Sequence, residues 1–213
     1  AAQARGKYII LDCHTYVMPI EESLEMWREV AAKYANNSAV LFGLLNEPHD
    51  IKPTGDDAGR SAWDVWRHGG QIIINGSEVR GVGHQELLEA IRETGANNIC
   101  IAGGLNWAFD ISGLADGYDG RENGYRLVDT PEGHGVMYDS HAYPVKGAKS
   151  AWNNIIGPVR KAAPVLIGEW GWDASDRAIS GGDCTSEIWL SQLAKWMDDE
   201  YDEYDGVPVN WTA

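Results

Sequence analysis

The chain is poor in cysteine: three in 213 residues, at positions 13, 100 and 184, are too few and too scattered for a disulfide scaffold or a zinc site. Cys13 and Cys100 sit inside apolar runs, where a small thiol is usually buried, and Cys184, in a Gly-rich loop, is expected to be partly exposed. Basic residues are also scarce, with 17 Lys and Arg against 32 Asp and Glu and a formal net charge of −15. Such a surface repels phosphate backbones and anionic headgroups, which argues against nucleic acids and membranes as partners. No apolar run is long enough to span a bilayer, and Ala1 to Gly6 is not the apolar core of a signal peptide. No Gly-rich phosphate loop follows the first strand pattern, which weighs against a dinucleotide-binding sheet. The chain starts without Met and stops at Thr212-Ala213, just after a strand pattern, so it is read as a fragment.

Tryptophan, by contrast, is plentiful, with 10 residues. Sugar-binding grooves use such residues because the flat apolar face of a pyranose stacks on an indole, although several must simply pack helices against a sheet. Short apolar runs alternate with helical patterns along the chain. Strands are expected at Tyr8–Cys13, Ala39–Leu45, Asn98–Ala102, Gly135–Asp139, Val165–Gly168 and Val207–Trp211, all apolar enough to be covered on both faces. Leu24, Trp27, Ala31 and Tyr34 mark one helix, and Leu87, Leu88 and Ile91 a second that Gly95 closes. Trp152 to Ala162 is a helical pattern that Pro158 must kink or restart, and Trp189, Leu193, Trp196, Met197 and Tyr201 line a final helix. The connection from Pro48 to Gly83 is expected to fold over the rim, with a short helix at Trp63 and Trp66. No internal repeat or low-complexity tract is evident.

This rhythm reads as α/β with a parallel sheet in a single domain, residues 1–213, either open or closed into a barrel. Polar and aromatic residues gather just after the strands: His14, Asn46-Glu47, Asn106-Trp107, His141 with Tyr143, and Glu169-Trp170. In a barrel these ends share one face, where the active site lies. Glu47, before a helix-incompatible proline, and Glu169, after Val165–Gly168, supply two carboxylates on that rim. Glycoside cleavage needs such a pair, one group protonating the leaving oxygen while the other attacks the anomeric carbon.

Asn46-Glu47-Pro48, His141-x-Tyr143 and Gly168-Glu169-Trp170-Gly171, each at a strand end, resemble glycoside hydrolase family 5, the cellulase family of retaining barrel enzymes. The resemblance covers almost the whole chain, from Leu11-Asp12-Cys13-His14 through Gly83-His84-Gln85-Glu86-Leu87 to Gly103-Gly104-Leu105-Asn106-Trp107. It implies a (β/α)8 TIM-barrel type fold that is incomplete, with strands three to eight present and a C-shaped sheet whose two edges are open. It also implies Glu47 as acid/base, Glu169 as nucleophile, Asn46 on the sugar 2-hydroxyl, Tyr143 steadying the nucleophile, His141 near the acid/base and His14 contacting substrate. Trp107 and Trp170, with Trp63 and Trp66 as weaker candidates, are expected as stacking platforms, and Trp211 as the floor of the catalytic subsite. The family's second-strand arginine has no counterpart in this chain.

The expected activity is endo-acting, retaining hydrolysis of a β-1,4-linked polysaccharide, foremost β-1,4-glucan, with carboxyl groups about 5–5.5 Å apart. A polysaccharide or oligosaccharide is the expected partner, with no cofactor and no metal, in a secreted protein that is monomeric if complete. A metal on His14, His141 and Glu47 is a poor reading because no close His pair has ligand spacing. The alternatives are a β-mannanase of the same family and a non-catalytic, truncated carbohydrate-binding fragment. A purely structural α/β domain leaves the polar strand ends unexplained.

Overall fold

In the computed structural model, residues 3–172, 186–199, 203–204 and 206–212 are described. The expectations for Cys184 and Tyr201 fall outside them. Strands β1 (Ile9–Asp12), β2 (Val40–Gly43), β5 (Cys100–Gly103), β6 (Val136–Ala142), β7 (Val165–Trp170) and β8 (Asn210–Trp211) form one sheet in that order. All five pairings are parallel, beginning with Ile9 opposite Val40 and ending with Ile167 opposite Trp211. Among the described residues β1 and β8 each keep one unpaired edge, so the sheet is a half-barrel of six strands. Parallel strands run apolar here because helices cover their outer face. Phe42, Cys100, Ala102 and Ile167 are accordingly buried.

Helix α1 (Glu21–Tyr34) buries Leu24, Trp27 and Ala31, and helix α3 (His84–Glu93) buries Leu87, Leu88 and Ile91. The Pro158 break is present: α4 (Lys149–Ile155) gives way to α5 (Gly157–Arg160), with the proline in the first turn, where its missing N–H costs nothing. Helix α6 (Ser186–Met197) buries Trp189, Leu193, Trp196 and Met197 along one face. No helix among the described residues is long and apolar enough to cross a membrane.

Two expectations need correction. The connection from Pro48 to Gly83 contains more than a short helix. After α2 (Ala62–His68) it forms a hairpin of β3 (Gly70–Ile74) and β4 (Ser77–Gly81), paired antiparallel. Its turn is Asn75-Gly76, with φ of 51° and 80°, a two-residue turn whose twist suits hairpin strands. Trp63 and Trp66, on α2, are 4% and 0% exposed and cannot stack on a ligand. They pack on each other, and the Trp66 indole N–H donates to the Gly103 carbonyl at 2.9 Å.

Most of the tryptophan content is therefore structural. Trp27 braces another strand end in the same way, donating to the Leu44 carbonyl at 3.0 Å. These two indoles hold the backbone behind Asn46-Glu47 and behind the β5 loop, so helix packing fixes the rim where the chemistry-bearing residues stand.

Candidate active site

Glu47 follows β2, and Glu169 lies within β7, which runs to Trp170, two residues further than the apolar run alone suggested. Strand β6 likewise continues to Ala142 and takes in His141. The two strands change register there: Asp139 lies opposite Leu166, but His141 lies opposite Glu169. An extra β7 residue is thus accommodated just before the second carboxylate, a bulge that re-aims the Glu169 side chain.

The strand ends bring Glu47, His141 and Glu169 together, each offering one ligand atom within 4.8 Å of the others. His141 is the hub. Its Nδ1 is 2.9 Å from Glu47 Oε1 and 3.5 Å from Glu169 Oε2, while its Nε2 is 3.3 Å from Asp139 Oδ2. The Tyr143 hydroxyl donates to Glu169 Oε2 at 3.2 Å. His141 is only 3% exposed, and burial disfavours its charged form. Asp139, then Glu47 and Glu169, outweigh that cost and push its pKa up to about 9. Burial together with the Glu169 charge raises the Tyr143 phenol above its ordinary value, which keeps it a neutral donor.

The same three groups have the spread of a cation site, and a carboxylate–imidazole–carboxylate set suits a divalent metal in donor type. His141 is poorly prepared to ligate one, because both ring nitrogens face carboxylates and a protonated Nδ1 has no lone pair to give. A proton fits between these groups better than a metal does.

The remaining expected residues divide. Asn46 is buried at 7% exposure and lines a cavity of about 350 Å3 with His141 and Glu169. Trp107 is 41% exposed on the loop after β5 and stacks on His49 at 3.4 Å between ring centroids. His49 in turn reaches the Glu47 carbonyl through Nδ1 at 2.9 Å, so Trp107 stands beside the Glu47 loop. His14 is exposed on the rim, bonded to Asp12 at 2.8 Å and edge-on to Tyr16. Trp170 is half-buried, and its indole N–H donates to the Thr212 carbonyl at 2.6 Å. Trp211 is not brought to the carboxylates: it pairs with Ile167 and lies edge-on to Trp170, and Thr212 lines the cavity instead. A strand alternates its faces, and the register gives the inner face to Thr212.

Asp139, Tyr16 and His49 were not singled out from the sequence. A signal for the first two existed, because Asp12-Cys13-His14-Thr15-Tyr16 and Asp139-Ser140-His141-Ala142-Tyr143 share the pattern Asp-x-His-x-Tyr at two strand ends. The period-two spacing puts each Asp and His on one face. His49 carried no comparable mark.

The whole chain, residues 1–213, matches Cellulase (glycosyl hydrolase family 5). It is 25% identical to endoglucanase A of Evansella cellulosilytica, an alignment that takes in 100% of this chain and 36% of that protein. In fold it is similar to an endo-beta-1,4-glucanase of Xanthomonas axonopodis pv. citri, solved with a triple mutation, with a TM-score of 0.62 and 22% identity over 99% of this chain and 63% of the other. A beta-glucanase from Saccharophagus degradans, solved with cellotetraose, superposes with a TM-score of 0.61 and 21% identity over 96% and 57%. The chain thus spans about a third of that curated relative and less than two thirds of these solved chains. With a match over its full length and the six parallel strands of part of the barrel, the chain belongs to glycosyl hydrolase family 5.

Proposed function

We propose that this chain carries the reacting carboxylates of an endo-acting, retaining β-glycosidase that cleaves β-1,4-glucan. One observation carries the reading: Glu47 and Glu169 present carboxylate oxygens within 4.8 Å of each other across His141. That approach of the two carboxylates suits direct attack by one of them, for which the groups stand about 5–5.5 Å apart, better than the wider spacing of an inverting site. Glu169 is the nucleophile because Tyr143 donates to the same oxygen side that His141 faces, which orients the carboxylate and spreads its charge. Glu47 first protonates the leaving glycosidic oxygen, and the departing chain takes that proton. Glu169 then holds the sugar as a glycosyl ester until Glu47, now ionised, draws a proton from water that attacks the anomeric carbon. Asn46, buried beside Glu47, is placed to bond the sugar 2-hydroxyl, and Trp107 offers a stacking face beside the Glu47 loop. Glucan is supported by relatives named endoglucanases and by a structural relative holding cellotetraose. Secretion follows from such a polymeric substrate.

The test compares reducing-sugar release from soluble β-1,4-glucan and β-1,4-mannan by the chain and by its Glu169→Gln variant. Release from glucan that falls by at least about a thousandfold in the variant supports the reading. Equal release by both proteins overturns it.

A second reading, a sugar-binding half-barrel without turnover, draws on the cavity itself. It runs from the start of β1, at Tyr8 and Ile10, to Glu169, along the face of a sheet with unpaired edges. Water entering there weakens every charge interaction at the carboxylates. Binding of cellotetraose without any release from glucan is its signature.

A further inference from the structure

Asp139 sits beneath His141, away from both catalytic carboxylates, and its two oxygens do different things. Oδ1 accepts the backbone N–H of Gly168 at 2.7 Å, and Oδ2 faces His141 Nε2 at 3.3 Å. The first bond falls at the register shift between β6 and β7, where the Gly168 N–H is left without a ladder partner one residue before Glu169. The fit is close, since a Cβ on Gly168 would collide with the Asp139 carboxylate. The second bond settles the ring. Asp139 and the nucleophile Glu169, as ionised carboxylates, only accept hydrogen bonds, and a His141 with a proton on both nitrogens serves Asp139 through Nε2 while its Nδ1 faces Glu47 at 2.9 Å and Glu169 at 3.5 Å. The related segment at β1 lacks this arrangement: His14 turns its Nδ1 to Asp12 and is exposed.

We propose that Asp139 is a positioning residue that locks the β7 bulge beneath Glu169 and holds His141 as a doubly protonated ring between the two carboxylates. This rests on the reading of Glu47 and Glu169 as the reacting pair. A positive ring there balances the charge of Glu169 in the resting site and steadies Glu47 as a carboxylate once Glu47 has given up its proton and the glycosyl ester has consumed the charge of Glu169. Besides Asp139, the charged groups acting on this ring are Glu47 after β2, Glu169 from β7, itself bonded by Tyr143, and Asp12 from β1, itself tied to His14. Lys146 lies close enough to Glu47 to act on it electrostatically. Asp139 is the one acidic group placed against Nε2, and it makes no contact with Glu47 or Glu169 among the described hydrogen bonds and ion pairs.

The test is Asp139→Asn, which keeps the shape and an acceptor for Gly168 but removes the charge. Nitrogen-15 spectra of the histidine rings report the protonation of each nitrogen and need no turnover. In the unaltered chain His141 is expected to stay doubly protonated through pH 8. In the variant it is expected to titrate at least one pH unit lower, and the alkaline limb of kcat/KM to move down with it, with kcat falling more than tenfold and KM little changed. A His141 that titrates identically in both proteins overturns the proposal. If the variant does not fold, the unaltered chain decides: a singly protonated His141 at pH 7 overturns the proposal, and a doubly protonated one supports it. A chain that shows the shift but releases no sugar refutes the proposed activity and leaves the Asp139–His141 coupling standing.

Discussion

At the scale of single residues, the candidate site works through hydrogen bonds whose direction is fixed by who can donate. Tyr143 has one hydroxyl, and it is spent on Glu169 Oε2. Tyr143→Phe removes that bond with little change of shape. A hydrogen bond to a charged group contributes about 1.5–3 kcal/mol, so kcat is expected to drop by roughly 10- to 150-fold. The melting temperature should shift little, since Tyr143 is half-buried; steady-state kinetics beside a thermal scan check both. Glu47, Glu169, His141 and Tyr143 were all legible in the sequence because each follows or ends an apolar run. Asp139 was passed over although the Asp-x-His-x-Tyr pattern marks it, because its role depends on a register shift that no local pattern announces. Trp211 misled for a related reason. Which face a strand residue presents depends on pairing, and the pairing with Ile167 leaves the inner face to Thr212.

Among the elements, strand positions were the easiest to read and their ends the hardest. Strands β6 and β7 both run past the apolar stretch, because polar partners hold residues near their ends: His141 is held by Glu47, and Trp170 by Thr212. The β3–β4 hairpin was missed although Asn75-Gly76 is a strong turn signal, since the surrounding glycines suggested an irregular loop. Tertiary ties also escape sequence patterns, and Arg160 is the plainest. From the end of α5 its guanidinium donates to the carbonyls of Trp196 at 2.9 Å and Met197 at 3.1 Å, closing α6, and to the carbonyl of Val207 ahead of β8. It also lies over the Tyr204 ring at 4.3 Å. In Arg160→Ala the Trp196 carbonyl keeps the Asp199 N–H and the Met197 carbonyl keeps the Val209 N–H, so Val207 is the acceptor left without a described donor, at a cost of about 1–3 kcal/mol. A loss of about 1–3 kcal/mol is expected in urea unfolding, with the midpoint lowered.

For the molecule as a whole, two histidines set opposite limits of pH. Burial beside Trp66 pushes His84 down to about 4 from its ordinary 6.5, so the folded state holds it neutral while the unfolded chain takes up a proton. Stability from that site is full above pH 6.5 and is lost as pH falls toward 4. His141 is raised to about 9, so its contribution is full below pH 6.5 and is lost as pH rises through 9. The melting temperature is therefore expected to peak near pH 6.5 and to fall on both sides, and Asp139→Asn should flatten the alkaline side only. A curve that keeps rising to pH 9 contradicts this assignment.

The division of the tryptophans has an optical consequence. Trp27, Trp63, Trp66, Trp152, Trp189 and Trp196 are sealed in the interior, at most 4% exposed, whereas Trp107 and Trp211 are 41% and 50% exposed. Intrinsic emission from this chain therefore combines a buried, a half-buried (Trp170 and Trp172) and an exposed population in one spectrum. An aqueous quencher such as iodide extinguishes the outer pair, reaches the half-buried Trp170 and Trp172 in part, and leaves the blue-shifted inner six. Of the outer pair, Trp107 stands beside the Glu47 loop, and Trp211 stands apart from the cavity. An oligosaccharide lying on Trp107 shields one of the two most exposed indoles, so occupancy can be followed without a label, while the inner six report whether the fold is intact.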